Sequence, residues 1–191
     1  MKNILLVLTI IFLTSLTILT YSQDSLKNND YKNAVTLEAL GNGITFSFNY
    51  ERIHLRKNSY SLSSRYGITY FPKLNGFNDD FQGPGIVFEL INSFGKSKTK
   101  IELGIGVNSF YLFEKLDENI FLDDKYMEYI FVYTSPRIGY KYESEKRYLF
   151  RIGFTPIILL KFDSTNPNTE VIREKGIAAL PWIGIGFGKI F

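Results

Sequence analysis

The sequence contains no cysteine and only one histidine among its 191 residues. The absence of cysteine excludes disulfides, zinc–thiolate sites and a cysteine nucleophile. The net charge is only +3 and the basic residues are scattered, so we expect no nucleic-acid partner. The sequence also lacks GxSxG, HExxH and other clustered metal-ligand spacings, and we expect neither a metal nor a cofactor.

Long apolar runs are missing everywhere except at the N-terminus. Lys2 precedes an apolar run from Ile4 to Leu19 that is broken only by threonine and serine, and the chain turns polar after Ser22. This order is typical of a secretory signal peptide. We predict a cleaved signal peptide over 1–22 and a short lead over 23–32. An uncleaved anchor is the alternative, although the run is shorter than the about 20 residues of a spanning helix.

Helical periodicity is nearly absent after residue 30, whereas apolar and polar residues alternate almost throughout. Alternation with period two predicts β-strands. We predict one domain over 33–191 with eight strands, at about 33–40, 43–55, 59–71, 84–94, 98–112, 127–142, 147–160 and 177–191. Several of these strands exceed the about 9–11 residues that a tilted strand needs to cross a bilayer.

The predicted connections alternate between short and long. The short ones are 56–58, 95–97 and 143–146, and the long ones are 72–83, 113–126 and 161–176. Outer-membrane barrels combine short periplasmic turns with longer external loops in this way. Gly41–Asn42–Gly43 is predicted to be the first external loop of a hairpin, with a glycine bulge in one long strand as the alternative. The segment 113–126 is acidic, and we interpret it as a solvated external loop, with binding of calcium or of a basic partner as the alternative.

The polar rows of the strands consist mainly of glycine, serine, threonine and asparagine, with about one charge per strand. Such a surface would be a poor coating against water, but it suits the crowded inside of an eight-stranded barrel. The sequence therefore predicts an all-β, closed, antiparallel, up-and-down transmembrane barrel whose isoleucine and phenylalanine rows face lipid. Rings at strand ends are predicted to form two interfacial girdles; they are Tyr50, Tyr60, Tyr70, Phe71, Tyr111, Tyr129, Tyr140, Tyr142, Tyr148 and Phe162.

The charges in the polar rows have both signs. An isolated charge inside a barrel would be very costly, so these residues should pair with one another. We predict a lumen network that fills the barrel, and a narrow polar conduit is the alternative. The predicted members are Glu38, Glu51, Arg65, Glu89, Glu102, Arg137 and Arg151.

The signal segment, the amphipathic strands and the final Phe191 together resemble the small outer-membrane barrels of the OmpA and OmpX type. Ile183, Ile185, Phe187 and Phe191 are similar to the C-terminal pattern read by the barrel assembly machinery, from which Lys189 departs. The stretches 37–43, 48–52, 103–106 and 150–154 resemble small barrels of the Bacteroidota. This resemblance implies an outer-membrane location, outer-membrane lipid and the assembly machinery as partners, and a monomer.

The leading functional hypothesis is a non-enzymatic barrel whose external loops carry a structural, adhesive or envelope-maintenance role. The alternatives are a narrow channel for ions or small solutes, a lipid-modifying enzyme, and a secreted, soluble, lipocalin-like binding barrel. The enzyme would resemble barrels that use a serine–histidine pair near the outer surface. His54 lies beside the first short turn, which is the opposite end, so we expect no catalytic residues.

Overall fold

The computed structural model describes residues 31–73, 81–96, 98–115, 126–164 and 179–191. The predicted signal peptide lies outside the described residues, as does the lead up to residue 30. Within the described residues, no helix has the length and apolar character needed to span a membrane. The strands are β1 Asn33–Leu40, β2 Phe46–Lys57, β3 Tyr60–Phe71, β4 Gly83–Phe94, β5 Thr99–Lys115, β6 Tyr126–Glu143, β7 Tyr148–Phe154, β8 Ile157–Ser164, β9 Ala179–Leu180 and β10 Ile183–Ile190.

The strands form one closed antiparallel sheet. Consecutive strands from β1 to β7 pair with each other, β8 pairs with β6 and β9, β10 pairs with β7, and β1 pairs with β10 to close the ring. β7 and β8 are halves of one long strand, interrupted at Pro156, and β9 and β10 are halves of another, interrupted at Pro181. Proline has no N–H and cannot continue a hydrogen-bonded ladder. The predicted eight-stranded closed barrel is therefore confirmed.

The connections between strands divide the barrel into two ends. Residues 58–59, 95–96 and 144–147 lie in turns at one end of the barrel, together with residues 31–32 and Phe191. We call this the turn end. The long connections lie at the other end, which we call the loop end. Their segments 74–80, 116–125 and 165–178 lie outside the described residues, and with them most of the acidic segment.

The connection between β1 and β2 folds into the barrel. Gly41–Gly43 forms a single 3₁₀ turn, and all three residues are buried. The hairpin prediction holds, because β1 and β2 pair along their lengths, but the prediction of an external loop is wrong. Gly41 has a φ of +62°, a left-handed conformation that favours glycine. A Cβ on Gly184 would lie 2.5 Å from the Cα of Gly41, so a side chain there would block the inward turn.

The outer wall is apolar, and large side chains on it are exposed. Phe46 is 72% exposed, Leu37 is 66% exposed, and Ile68 and Ile86 are each 65% exposed. The alternate residues of the same strands are buried inside, where serine, asparagine, glycine and charged residues predominate. A continuous apolar surface of this kind is unusual for a protein in water. The barrel thus has the opposite polarity to a soluble β-barrel.

The close approach of Gly184 to Gly41 predicts that the barrel is destabilised by a side chain at Gly184. Gly184→Ala should destabilise the barrel by about 1–3 kcal/mol, because the added methyl group overpacks the buried turn. Urea unfolding in detergent micelles measures the change. Ile185→Val, at the next position on the exposed outer face, is the control and should change the stability by less than about 0.5 kcal/mol. Equal effects of the two substitutions would contradict the inward placement of the turn.

Candidate functional site

The inward side chains of β6 form a row that extends along the lumen from one end of the barrel to the other. The buried residues of this row are, from the loop end, Tyr129, Tyr133, Ser135, Arg137 and Lys141. β6 runs from the loop end to the turn end, so this order is also the order of layers in the lumen. Aromatic residues occupy the loop end, and charges occupy the middle and the part towards the turn end.

Four charged residues form a closed ring in the middle of the lumen, which we call the first ring. Arg137 contacts Glu38 at 2.6 Å through Nη2 and Glu89 at 2.6 Å through Nε. Arg65 contacts Glu38 at 2.9 Å and also pairs with Glu89. The signs therefore alternate around the ring, and each charge has two partners of opposite sign. The side chains of all four residues are fully buried.

Four more charged residues form a second ring nearer the turn end. Lys141 lies 3.0 Å from Glu51 and 3.8 Å from Glu102. Arg151 pairs with the same two carboxylates and lies 3.4 Å from Glu102. Ser63 donates a hydrogen bond of 2.9 Å to Glu51. The second ring repeats the alternation of the first, and the eight charges of the two rings sum to zero.

Different strands supply the charges of each ring. The first ring draws on β1, β3, β4 and β6, and the second ring draws on β2, β5, β6 and β7. The last strand contributes glycines instead. A Cβ on Gly186 would lie 2.9 Å from Cγ of Arg151, so this glycine leaves the space in which the arginine stem packs.

The second ring continues towards the turn end through Glu143. This carboxylate lies 3.2 Å from Lys141, 2.7 Å from Lys100 and 3.7 Å from Arg56. The side chains of Glu143, Lys100 and Arg56 are 13%, 12% and 20% exposed. The charges of the network thus become gradually accessible towards the turn end.

An aromatic cluster closes the lumen on the loop side of the first ring. Phe110 and Tyr133 stack with ring centroids 6.2 Å apart, and Tyr133 donates a hydrogen bond to the carbonyl of Asn42 in the buried turn. Phe71 and Tyr129 pack into the same cluster. The girdle prediction is therefore wrong for Phe71 and Tyr129, because the barrel needs apolar filling beyond the charges. Nothing is described for the side chain of Phe162.

A smaller apolar cluster closes the turn end. Ala34, Leu149 and Ile190 are buried together, and Tyr31 packs against them. The guanidinium carbon of Arg147 lies 3.9 Å above the centre of the Tyr31 ring. A cation over an aromatic face is attracted by the ring quadrupole. Both ends of the lumen are thus filled by side chains of the barrel itself.

The structure brings together all seven charges that the sequence places in the lumen network. It adds Lys141, which the sequence analysis missed. The sequence could have identified it, because Lys141 occupies the same alternate row of β6 as Arg137 and Gly139. The C-terminal residues Ile183, Ile185, Phe187 and Phe191 all lie exposed on the outer wall, and their role as an assembly signal stays a prediction.

His54 lies at the turn end on the outer face of β2. Nε2 of His54 is 2.7 Å from Oγ of Ser64 on β3. The register of β2 against β3 shifts between Ile53 and Leu55, so His54 occupies a β-bulge. Its ring is exposed, whereas Ser64 is buried beneath its neighbours. Among the described residues, no group of three or more histidine, cysteine or carboxylate side chains is arranged to hold a metal.

Removing one charge from the first ring should lower the free energy of unfolding of the barrel. Arg137→Gln leaves Glu38 and Glu89 with one cationic partner instead of two, and removing one partner of a buried ion pair costs about 3–5 kcal/mol. Urea unfolding in micelles, followed by the fluorescence of the single tryptophan, measures the loss.

A double-mutant cycle supplies the control for that measurement. Glu89→Gln combined with Arg137→Gln removes one charge of each sign and should cost less than the sum of the single substitutions, because contacting charges are coupled. Additive costs would contradict the ring.

Comparison with solved structures shows that the fold is similar to that of an outer-membrane protein. The structure is similar to the crystal structure of a major outer membrane protein from Thermus thermophilus, with a TM-score of 0.53 and 10% sequence identity. The match covers 85% of this chain and 100% of that chain. No protein-family model matches the sequence, and no curated protein is significantly similar to it. The likeness establishes the barrel fold, and it fits a barrel that crosses a membrane.

Proposed function

We propose that the chain is an integral outer-membrane barrel with a closed lumen, and that it serves a structural, adhesive or envelope-maintenance role through its external loops. The observation that carries this proposal is the inverted polarity of the barrel. Apolar side chains such as Phe46, Leu37 and Ile68 are exposed on the wall, whereas eight charges are buried inside. A bilayer is the surroundings in which this arrangement is favourable, because the hydrocarbon covers the wall.

The lengths of the strands support the same proposal. β2, β3 and β4 have 12 residues each, β5 has 17 and β6 has 18. About 9–11 residues suffice for a tilted strand to cross the hydrocarbon core. β1 and β10 pair with each other and close the sheet, whereas an open sheet would present unpaired backbone groups to lipid, which a bilayer does not tolerate.

The closed lumen favours a role that does not depend on transport. The two rings, the aromatic cluster and the apolar cluster at the turn end succeed one another along the barrel axis. An eight-stranded barrel is only wide enough for its own side chains. Functional residues would then lie in the long connections at the loop end, since loops on a rigid scaffold commonly carry binding.

The location can be tested by cell fractionation combined with electrophoresis of unheated and boiled samples. The protein should be recovered in the outer-membrane fraction, and the unheated sample should migrate differently from the boiled one because the closed barrel resists unfolding in detergent. Recovery in the periplasm without detergent would instead support a secreted, soluble binding barrel.

The closed lumen predicts that the purified barrel conducts little or no current. Insertion into a planar bilayer should give no discrete conductance steps, because the paired charges of the rings lie across the lumen between the aromatic cluster and the apolar cluster. Regular unit steps that change with ion type would support the narrow channel instead. Insertion is verified separately by the shift between unheated and boiled samples.

The contact between His54 and Ser64 makes a lipid-modifying enzyme worth testing. We expect His54→Gln and Ser64→Ala to leave the composition of the envelope lipids unchanged, because the serine is buried and the pair lies at the turn end. Mass spectrometry of extracted lipids measures the outcome. A change in acylation seen with both variants would contradict the non-enzymatic proposal.

A further inference from the structure

The outer wall at the turn end changes from apolar to cationic beside the seam where the barrel closes. Arg52 and His54 point outward from β2, and Lys189 points outward from β10. Lys32, which precedes β1, is exposed at the rim opposite the inward-facing Ile53. We call these four residues the seam patch. Lys189 is also the residue that breaks the apolar C-terminal row, in which Phe187 and Phe191 are exposed on either side.

Backbone pairing shows that the seam patch is contiguous. Asn33 of β1 is the register partner of Arg52, and Val35 is the partner of Lys189. The backbone of Ile53 donates a hydrogen bond of 2.7 Å to the carbonyl of Lys32. Adjacent strands lie about 4.8 Å apart, so the patch extends over three neighbouring strands.

The cations of the seam patch have no carboxylate partner among the residues that the structure describes. Glu51, next to Arg52 in sequence, points inward and pairs with Lys141 and Arg151. The exposed Glu145 is held by Lys98 at 2.7 Å. The ammonium of Lys189 instead lies 5.7 Å from the centre of the Tyr148 ring.

Neutral hydrogen-bonding groups surround these cations. Tyr50 donates a hydrogen bond of 2.7 Å to Asn33. Ser64 is the register partner of Arg52 on β3, and its hydroxyl contacts the imidazole of His54. Arginine binds phosphate through two parallel hydrogen bonds, and lysine acts as a point charge. The patch therefore has the chemistry of a site for a phosphodiester.

The apolar wall continues directly from the seam patch towards the loop end. Leu37, Phe48 and Phe187, on the same three strands, are 66%, 50% and 57% exposed. A molecule that places its phosphate on the patch and its hydrocarbon on this wall is an anionic glycerophospholipid. We propose that the seam patch selects anionic phospholipids from the leaflet that surrounds the turn end. This inference rests on the proposed membrane insertion.

Lipid selectivity can be measured on the full mature barrel reconstituted in phosphatidylcholine vesicles. Trace phosphatidylglycerol or phosphatidylcholine, spin-labelled on the acyl chain, reports the fraction of lipid that the protein immobilises. A cation near an anionic surface contributes a factor of about five to binding. Phosphatidylglycerol should therefore be preferred about fivefold or more, and the preference should fall as salt is raised.

Matched charge variants test the assignment to this surface. Arg52→Gln combined with Lys189→Gln should reduce the preference to nearly one. Lys96→Gln combined with Lys146→Gln removes the same charge from exposed turn residues and should keep the preference. Equal loss in both variants, or no preference in the unmodified protein, would overturn the inference.

Two further readouts separate the possible failures. If lipid is immobilised without headgroup preference, the barrel is inserted and only the further inference fails; if no lipid is immobilised, the proposed function fails with it. Inorganic phosphate, added at constant ionic strength in place of chloride, should leave the preference unchanged. Loss of the preference in phosphate would indicate a site for a free anion and would overturn the lipid assignment.

Discussion

The mutual neutralisation of eight buried charges is the constraint on which the rest of this barrel depends. Each carboxylate of the two rings lies between two cations, and each cation lies between two carboxylates. Buried charges are tolerated only when they are paired in this way. Since seven strands supply the eight charges, the rings close in only one register. A slip of one residue in any of these strands would turn its charge outward to the wall.

The residues around the rings cover them at both ends and leave space for their side chains. The aromatic cluster and the inward turn at Gly41–Gly43 cover the rings from the loop end, and the cluster around Leu149 covers them from the turn end. The glycines of β10 leave space for the stem of Arg151 and for the turn. Paired charges interact more strongly in a buried site than in solvent, so burial of the rings strengthens their pairing.

Alternation with period two was sufficient to predict the strands, the closure and the membership of seven ring charges, because each strand has one apolar and one polar row. It could not predict which charges contact which, because that depends on the register of paired strands, as for Arg65 and Glu89, and on contacts across the lumen between unpaired strands, as for Arg137 and Glu38. The alternation pattern also gave a wrong prediction for Phe71 and Tyr129. An aromatic residue near a strand end has the same sequence pattern whether its ring faces lipid or a closed lumen. The inward turn depends on the absence of a side chain at Gly184, far along the chain.

The most direct test of this account is the accessibility of the outer wall to oxygen and to a water-soluble nickel chelate. The chain has no cysteine, so single spin labels can be placed at Ile68 and Ile185 and, as a reference in a turn, at Lys96. In reconstituted vesicles, the account predicts that the two wall labels collide with oxygen and are shielded from nickel, whereas the turn label meets nickel freely. Wall labels as accessible to nickel as the label at Lys96 would contradict it.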